Sequence, residues 1–290
     1  MDAARRGHRA RLKRRAAWPV EQCPPPAAAC TAGPELSDRA ALVLYEYPFH
    51  EGIRTMLRLE HLFARLDTLR AREAAVDHHF ALATIFEIMD VASRADLKSD
   101  LLKELERHRA QYAAYRGHPG VDDEALDRVV GDIDRVHGAL NSVAGKAGQA
   151  LSSNDWLMSI RSRISIPGGT CEFDLPAYYA WQQHPPERRR ADLAGWAATL
   201  ALLAEALQVL LGLLRSSGRP QRMVAPGGQY QQSLPQGKVH QLLRVRVDEG
   251  LVPEISGHRL LVSIRFMRPD AEGRLRGAGS DCSFELTLCN

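Results

Sequence analysis

The sequence lacks the short motifs by which phosphate-binding and nucleophilic enzymes are usually recognised. None of the patterns G-x-x-x-x-G-K-[ST], G-x-G-x-x-G and G-x-S-x-G occurs in its 290 residues. The glycine pair in "IPGGT" (166–170) is followed by no lysine, which a phosphate loop requires. His78 and His79 are adjacent, so on a helix they face different directions. Because no acid, base and nucleophile are assembled, we predict that the protein is not an enzyme.

Paired cysteines are also lacking. The chain has five cysteines, and neither a C-x-x-C pair nor another metal-ligand spacing connects them. No apolar run of the signal-peptide type occurs in residues 1–34. A reduced, cytoplasmic compartment therefore fits best, and we expect neither a metal nor a cofactor.

Long apolar runs are scarce. Only "WAATLALLAEALQVLLGLL" (Trp196–Leu214) approaches the roughly 20 residues that cross a bilayer. Glu205 and Gln208 lie at its middle, where a carboxylate costs about 2.5–3.5 kcal/mol on insertion. We therefore predict no membrane span. The run is interpreted as part of one long helix over residues 185–216, buried in the core or at a subunit interface.

The net charge of +3 is unevenly distributed along the chain. Residues 1–34 carry seven basic and two acidic residues, whereas the rest carries 31 basic and 33 acidic ones. Residues 1–39 are rich in arginine and then in proline and alanine, so they can bury little apolar surface and are predicted to be a disordered tail. The excess of positive charge therefore belongs to this tail, whereas a nucleic-acid footprint is expected on the folded domain itself.

After the tail, apolar residues follow helical spacing over the first two thirds of the remaining chain. Apolar residues recur every three or four positions from about Glu51, after a short predicted strand, "ALVLYEYP" (41–48). The acidic start of "DDEAL" (122–126) suits the first turn of another helix. In "RSRISIPGGTCEFDL", a Pro-Gly pair typical of a type II turn separates two extended runs. This pattern predicts a β-hairpin over residues 160–175.

A Gly/Pro/Gln-rich segment over residues 218–237 is predicted to be a linker. After it, apolar residues recur at every second position. Such alternation is typical of antiparallel strands with one buried face. It occurs in residues 242–247, 258–267 and 283–289. The sequence thus predicts an α+β fold, with a mainly helical domain over residues 40–217 and a β domain over residues 238–290. The N-terminal strand and the hairpin are expected to join the C-terminal sheet.

Basic residues cluster by the same periodicities. Five of them follow spacings of 4, 3, 4 and 7 on one face of the first helix. They are Arg54, Arg58, His61, Arg65 and Arg72. Arg161 and Arg163 share a face of the predicted hairpin, and Arg259 and Arg265 lie opposite the apolar face of their strand. On a body with more acidic than basic residues, such patches indicate an acidic or carboxylate-bearing partner.

Several segments, in order from about residue 41 to the end of the chain, resemble one protein family. They include "VLYEYPFHEGIRTMLRLEHLF" (43–63), "LLKEL" (101–105), "GHPGVD" (117–122), "RSRISIPGGTCEFDLP" (161–176), "PEISGHRLLVSIRFM" (253–267) and "FEL" (284–286). None of these motifs is widely known, but the ordered set is specific. It resembles the ZapD (Z-ring-associated protein D) family of bacterial cell division proteins.

The resemblance implies a non-enzymatic cytoplasmic homodimer in which a helical domain is joined to a β domain. It also implies that the protein binds the C-terminal tail of the tubulin-like GTPase FtsZ and bundles FtsZ protofilaments, promoting Z-ring assembly at midcell. FtsZ and a second copy of the chain are then the expected partners, with no membrane and no specific nucleic acid. Carried over by motif, the candidate tail-binding residues are Arg54, Arg58, Arg161, Arg163, His258, Arg259 and Arg265.

Two other functions remain open. One is a nucleic-acid-binding protein that acts through the basic patches and the arginine-rich tail. The other is an enzyme whose site follows none of the known motifs. Measuring DNA binding with and without residues 1–39 separates the first alternative from an adaptor, which is expected to show little specific affinity for DNA at either length.

Overall fold

The computed structural model describes residues 42–93 and 97–290, which belong to one compact unit. The predicted tail over residues 1–39 lies outside the described residues. The helices are α1 (Glu51–Ala71), α2 (Ala75–Ala92), α3 (Leu97–Ala113), α4 (Asp123–Ser142), α5 (Gln149–Ser152), α6 (Asp155–Ile164), α7 (Pro176–Gln182), α8 (Pro186–Ala198) and α9 (Ala201–Ser216). The strands are β1 (Leu42–Pro48), β2 (Gln221–Ala225), β3 (Gln229–Ser233), β4 (Leu242–Asp248), β5 (Val252–His258), β6 (Leu261–Pro269), β7 (Leu275–Gly277) and β8 (Cys282–Cys289).

The strands form two antiparallel sheets. The first has the order β1-β4-β8-β2, and the second has the order β3-β6-β5, with β7 paired to β6. The N-terminal strand joins the C-terminal strands as predicted, because β1 pairs with β4 and places Val43 opposite Val247. The predicted α+β class is therefore confirmed.

The first sheet lies between the helices and the second sheet. Val245 and Phe284, on one of its faces, pack with Ile264 of the second sheet in one hydrophobic cluster. Leu242 and Cys289, at the end of the same strands, belong instead to the hydrophobic core of the helices. The alternation seen in the sequence thus reflects the packing of one sheet face on the other sheet.

The helices α1 and α4 form where local signals predict them. Ile53 and Met56 recur at helical spacing in α1, and both are buried in the helical core. Asp122 precedes α4, and its carboxylate accepts hydrogen bonds from the backbone N–H groups of Glu124 and Ala125. This carboxylate caps the helix start, where the first N–H groups have no partner within the helix.

The prediction of a β-hairpin over residues 160–175 is wrong. Arg161 and Arg163 lie in α6, and Leu157 and Ile160 of this helix are buried in the helical core. The run "RSRISI" is short, and a short run does not by its period distinguish a strand from the end of a helix. The preceding helical turn is buried against the other helices, and this packing makes the segment helical.

Two glycines shape the tight turn that follows α6. Gly168 has a φ of +70°, a left-handed conformation that glycine adopts without steric cost. At Gly169, a Cβ atom would lie 2.8 Å from the carbonyl oxygen of Arg163 and 2.8 Å from the Cβ of Ile166. Gly168 therefore permits the backbone conformation of the turn, and Gly169 permits the close approach of the turn to the end of α6.

The predicted long helix over residues 185–216 consists of two helices. They bend by 65° at Thr199 and Leu200, and the bend directs the fully buried Leu200 into the core. Leu203 and Leu207 of α9 are buried in the same core. Among the described residues, no single helix is long and apolar enough to cross a membrane; α8 and α9 pass that test only together, as a bent pair.

The predicted linker over residues 218–237 contains two paired strands, so that prediction is wrong for most of its length. Gln221 of β2 pairs with Leu286 of β8, and Tyr230 of β3 pairs with Ile264 of β6. Both are edge strands of their sheets, and their hydrogen-bond partners come from distant parts of the chain. The sequence also did not predict β5 and β7. The division into a helical and a β domain at this segment stays a prediction.

Arg215 on α9 holds the helices to the first sheet. Its Nε and Nη2 donate to the Glu46 carboxylate of β1 at 2.9 and 2.7 Å. Its Nη1 and Nη2 donate to the Glu60 carboxylate of α1 at 2.7 and 2.6 Å. Glu46 also accepts from Nε of Arg244 on β4 at 3.0 Å. Hydrogen bonds from Arg215, first to Glu60 and also to Glu46, raise the pKa of this guanidinium above its ordinary value.

Replacing Arg215 with methionine is expected to lower the free energy of unfolding by about 2–4 kcal/mol, because it leaves two partly buried carboxylates without their main partner. The matched control is Arg276→Met, since Arg276 is 69% exposed and pairs with Asp270 on the surface. The control is expected to change stability by less than about 1 kcal/mol. Urea unfolding measures both, and equal effects would show that Arg215 does not join the layers.

Two buried histidines are held neutral by their surroundings. His108 is 3% exposed, and burial, together with the charge of Arg107, lowers its pKa to about 4. His78 accepts a hydrogen bond from Nε of Arg189 at 2.9 Å and donates through Nε2 to the carbonyl oxygen of Arg72 at 2.8 Å. Burial, as the largest cause, lowers the pKa of His78 as well.

The unfolding free energy is therefore expected to fall as the pH drops below about 6.5. In that range the unfolded histidines bind protons and the folded ones do not, so His108 alone contributes up to about 1.4 kcal/mol per pH unit. Urea unfolding at pH 7.5, 6.5, 5.8 and 5.0 measures the slope, which is expected to decrease in His108→Leu. Val136→Ala, in the same core, is a control that lowers stability without removing a proton site. An unchanged slope in His108→Leu would contradict the assignment.

Candidate functional site

Two of the candidate side chains, Arg54 and Arg58, lie on the first two turns of α1. Both pair with Glu51, with N–O distances of 3.3 and 3.5 Å. The arginine side chains are 40% and 54% exposed. Ion pairs of such exposure contribute little to stability. The two guanidinium groups can therefore exchange Glu51 for another carboxylate at small cost.

The end of β1 and the segment that leads into α1 contact the end of β5. The hydroxyl of Tyr47 donates to the carbonyl oxygen of Gly257 at 3.3 Å, and the ring of Phe49 packs edge-on against Tyr47. A Cβ atom at Gly257 would lie only 2.8 Å from the Phe49 ring. Glycine therefore permits this approach, which places the turn between β5 and β6 beside the entry to α1.

That turn carries His258 and Arg259. Nδ1 of His258 accepts a hydrogen bond from the backbone N–H of Leu260 at 3.3 Å, which orders the turn. Arg259 is exposed, and no carboxylate within the described ranges forms an ion pair with it. The fold thus brings His258 and Arg259 to the end of the molecule where Arg54 and Arg58 lie.

Arg265 lies apart, on the outer face of the second sheet. It is opposite Glu254 of β5, and its Nη2 donates to that carboxylate at 2.9 Å. Its side chain is 66% exposed. At a rise of about 3.3 Å per residue it is about 13 Å along β6 from Leu261. The predicted shared face with Arg259 is wrong, because Arg259 belongs to the turn before the strand.

Arg161 and Arg163 are directed apart by α6. Residues two positions apart on a helix differ in direction by about 200°. Arg161 pairs with Asp90 of α2, whereas Arg163 lies 3.5 Å from Asp174 in the segment before α7. The predicted shared strand face is therefore wrong, and the two arginines face different neighbours.

The helix α2 connects Arg161 to the basic face of α1. Arg65 of α1 pairs with Glu87 of α2, so this part of the basic face holds the two helices together. Asp90, the partner of Arg161, lies about one turn beyond Glu87. Because α1 and α2 are antiparallel neighbours, that end of α2 lies beside the start of α1. Arg161 is thus connected, through Asp90, to the helix that packs on α1.

A cavity of about 310 Å³ opens beside the first turn of α1. It is lined by His50 and Ile53 from the start of α1, by Lys103 of α3 and by Gln241 before β4. The sequence analysis missed His50 and Lys103 as site residues, because no periodicity connects α3 to α1. The signal was the segment "LLKEL" (101–105), one of those that carry the family resemblance.

The described part of the chain contains no arrangement of metal-binding type. Within residues 42–93 and 97–290, no group of three or more His, Cys, Asp or Glu side chains is placed to hold a metal ion. What the arrangement provides is exposed cationic side chains at the start of α1, which suit the binding of carboxylates. The cavity beside them carries both signs of charge, because Asp100 and Glu104 line it together with Lys103.

Comparisons with known proteins agree on one family. The model of the ZapD family, described as a cell division protein, matches residues 57–265. The cell division protein ZapD of Ralstonia pickettii (strain 12J) is 52% identical over 252 residues, which are 86% of this chain and 100% of that protein. The proteins of the same name from Ralstonia nicotianae and Cupriavidus taiwanensis are 52% and 51% identical over the same shares.

Proposed function

This chain belongs to the ZapD family of cell division proteins, and from that premise we propose that it is a non-enzymatic adaptor of the cytoplasmic division ring. It binds the C-terminal tail of FtsZ and acts as a homodimer that cross-links FtsZ protofilaments at midcell. The 52% identity over the full length of relatives named as cell division proteins supports the division role. The tail site and the dimer are the finer parts of the proposal.

The observation that carries the tail site is the meeting of two basic segments at one end of the molecule. Arg54 and Arg58 come from α1, and His258 and Arg259 come from the turn between β5 and β6. These segments are about 200 residues apart in the sequence, and the contact of Phe49 with Gly257 brings them together. A peptide with several carboxylates can bridge both segments, because each offers exposed cations.

Single contacts at this surface are weak, and the proposed assembly suits weak contacts. Exposed ion pairs contribute from about zero to 1 kcal/mol each, and salt screens them. A dimer with twofold symmetry presents two identical sites, the minimum that bridges two filaments. A filament displays many tails, so a second contact forms at a high effective concentration.

The nucleic-acid alternative receives less support from the geometry. Arg161, Arg163 and Arg265 each pair with a carboxylate of the protein itself. Such pairing breaks a basic patch into locally neutral units, whereas a phosphate backbone requires a continuous positive surface. DNA binding is therefore expected to be weak and without sequence preference in the part of the chain described.

The proposed function predicts that the protein increases the amount of FtsZ that sediments with GTP at low centrifugal force. The expected increase disappears when FtsZ lacks its C-terminal tail, because the tail is the proposed attachment point. Light scattering of the adaptor alone is expected to give the mass of a dimer at micromolar concentration. A monomer, or equal bundling of tail-less FtsZ, would contradict the bivalent cross-linker.

The site predicts that Arg58→Ala weakens the binding of a fluorescent tail peptide by about two- to fivefold at low salt, as expected for an exposed contact worth up to about 1 kcal/mol. The reason is the loss of a charge-assisted hydrogen bond to a peptide carboxylate. Arg265→Ala tests whether the outer face of the second sheet takes part. Fluorescence anisotropy at low and high salt measures both, and the parent affinity is expected to fall as the salt concentration rises.

Arg276→Ala is the matched control, since Arg276 is exposed on the second sheet and pairs with Asp270. It is expected to bind the peptide like the parent. If Arg58→Ala also binds like the parent and keeps its melting temperature, the tail site lies elsewhere. If Arg58→Ala weakens peptide binding and Arg265→Ala does not, the site is restricted to the end formed by α1 and the turn between β5 and β6.

A further inference from the structure

An apolar cavity of about 180 Å³ lies on the side of the helices formed by α3, α4 and α9. Its lining is mostly aliphatic and comes from elements that are far apart in the sequence. The apolar lining side chains include Leu97, Leu101, Leu140, Leu202 and Leu203. A cavity of about 150 Å³ with a similar lining accepts a benzene molecule in another protein. This cavity is therefore large enough for an apolar group of about six to eight carbon atoms.

Two lysines stand at this cavity. Lys98 of α3 donates to the carbonyl oxygen of Val143 at 2.5 Å, and Lys146 donates to the carbonyl oxygen of Ser93 at 2.8 Å. Both lysines line the cavity. An ammonium group has three N–H donors, so each lysine retains donors beyond the one bound to its carbonyl partner. The carbonyl contacts hold the two charges close to the apolar lining.

The positive charge at this cavity has no carboxylate partner within the described ranges. Among the residues that the structure describes, no aspartate or glutamate lines the cavity. The carboxylates of neighbouring helices are engaged elsewhere, Glu205 with Arg135 and Asp90 with Arg161. The two ammonium groups thus have no carboxylate partner in the described part of the chain, and the apolar cavity beside them adds the second half of an amphipathic site.

We propose that this cavity binds a small apolar carboxylate. Its hydrocarbon part lies among the leucines of α3, α4 and α9, and its carboxylate lies between Lys98 and Lys146. Burial of the hydrocarbon part supplies the driving force, and the two ammonium groups select an acid over a neutral molecule of the same shape. The site is distinct from the basic residues of α1 and β6, so it goes beyond the proposed function and does not depend on it.

The same chemistry has two sources: a free medium-chain fatty acid, and the terminal carboxylate of a peptide that ends in an apolar residue. A second, more open cavity of about 500 Å³ shares Gly145, Lys146 and Ala147 with the first and is also lined by Arg161. It leaves room for further polar atoms beyond the carboxylate. Octanoate and N-acetyl-leucine serve as probes of the two sources, and 1-octanol serves as the neutral counterpart of octanoate.

Isothermal titration calorimetry of the full chain tests the proposal. At least one of the two carboxylates is expected to bind with a stoichiometry of one per chain, and the tighter one identifies the source. If octanoate is that probe, 1-octanol is expected to bind about tenfold or more weakly. Absence of saturable binding by both carboxylates would overturn the proposal.

Two variants locate the site. Lys98→Gln combined with Lys146→Gln is expected to weaken the bound carboxylate by about tenfold or more, while glutamine can still donate to the loop carbonyls. Thr199→Phe fills the cavity from an exposed position in its lining and is expected to abolish binding. The matched controls are Lys238→Gln, an exposed position between β3 and β4, and Thr68→Phe, an exposed position of α1.

The controls are expected to bind like the parent, and all variants are checked for an unchanged melting temperature. Carboxylate binding that survives in both the lysine variant and Thr199→Phe would overturn the location. Binding that is lost in Thr199→Phe but unchanged in the lysine variant would overturn the placement of the carboxylate between Lys98 and Lys146. Because the lysine variant lies on the surface, it keeps the test decisive even if Thr199→Phe fails to fold.

Discussion

The ion network centred on Arg215 is the constraint on which the arrangement of helices and sheets depends. One guanidinium from α9 binds Glu46 of β1 and Glu60 of α1, and Glu46 also binds Arg244 of β4. The side chain of Glu46 is only 16% exposed, so its charge would be costly without these partners. The network fixes β1, an edge strand of the first sheet, against the helices. The chain then leaves β1 through Phe49 into α1, which orients the first turns of that helix.

The candidate surface follows from this placement. Because β1 ends at Pro48 and Phe49 packs closely on Gly257, the arginines at the start of α1 lie beside the turn between β5 and β6. Two of the cations at this surface, Arg54 and Arg58, already have a carboxylate partner in the protein, Glu51. Binding an acidic peptide is therefore an exchange of partners, which favours many weak contacts over one strong contact. Binding at the apolar cavity beside Lys98 and Lys146 differs from this exchange, because there a hydrocarbon group supplies most of the binding energy.

The sequence points to candidate residues but does not predict how the fold arranges them. Periodicity and family resemblance both selected Arg58 and Arg265, but neither shows that these residues lie on different elements with different neighbours. The shared faces predicted for Arg161 with Arg163, and for Arg259 with Arg265, do not exist, because a helix and a turn stand where strands were expected. Lys103 was missed as a site residue since only the packing of α3 brings it beside α1.

The sequence by itself determined the α+β class, the acidic start of α4 and the alternating strands β4, β6 and β8. These features depend on signals within a few residues: acidic side chains in a first helical turn and an apolar period. The tertiary structure alone decided that residues 155–164 are helical, that the chain bends at Leu200 and that β2 and β3 pair with distant strands. Short or weakly patterned segments fit more than one local structure. Their conformation is set by hydrogen bonds and buried contacts with partners that can be tens of residues away, so no local pattern records it.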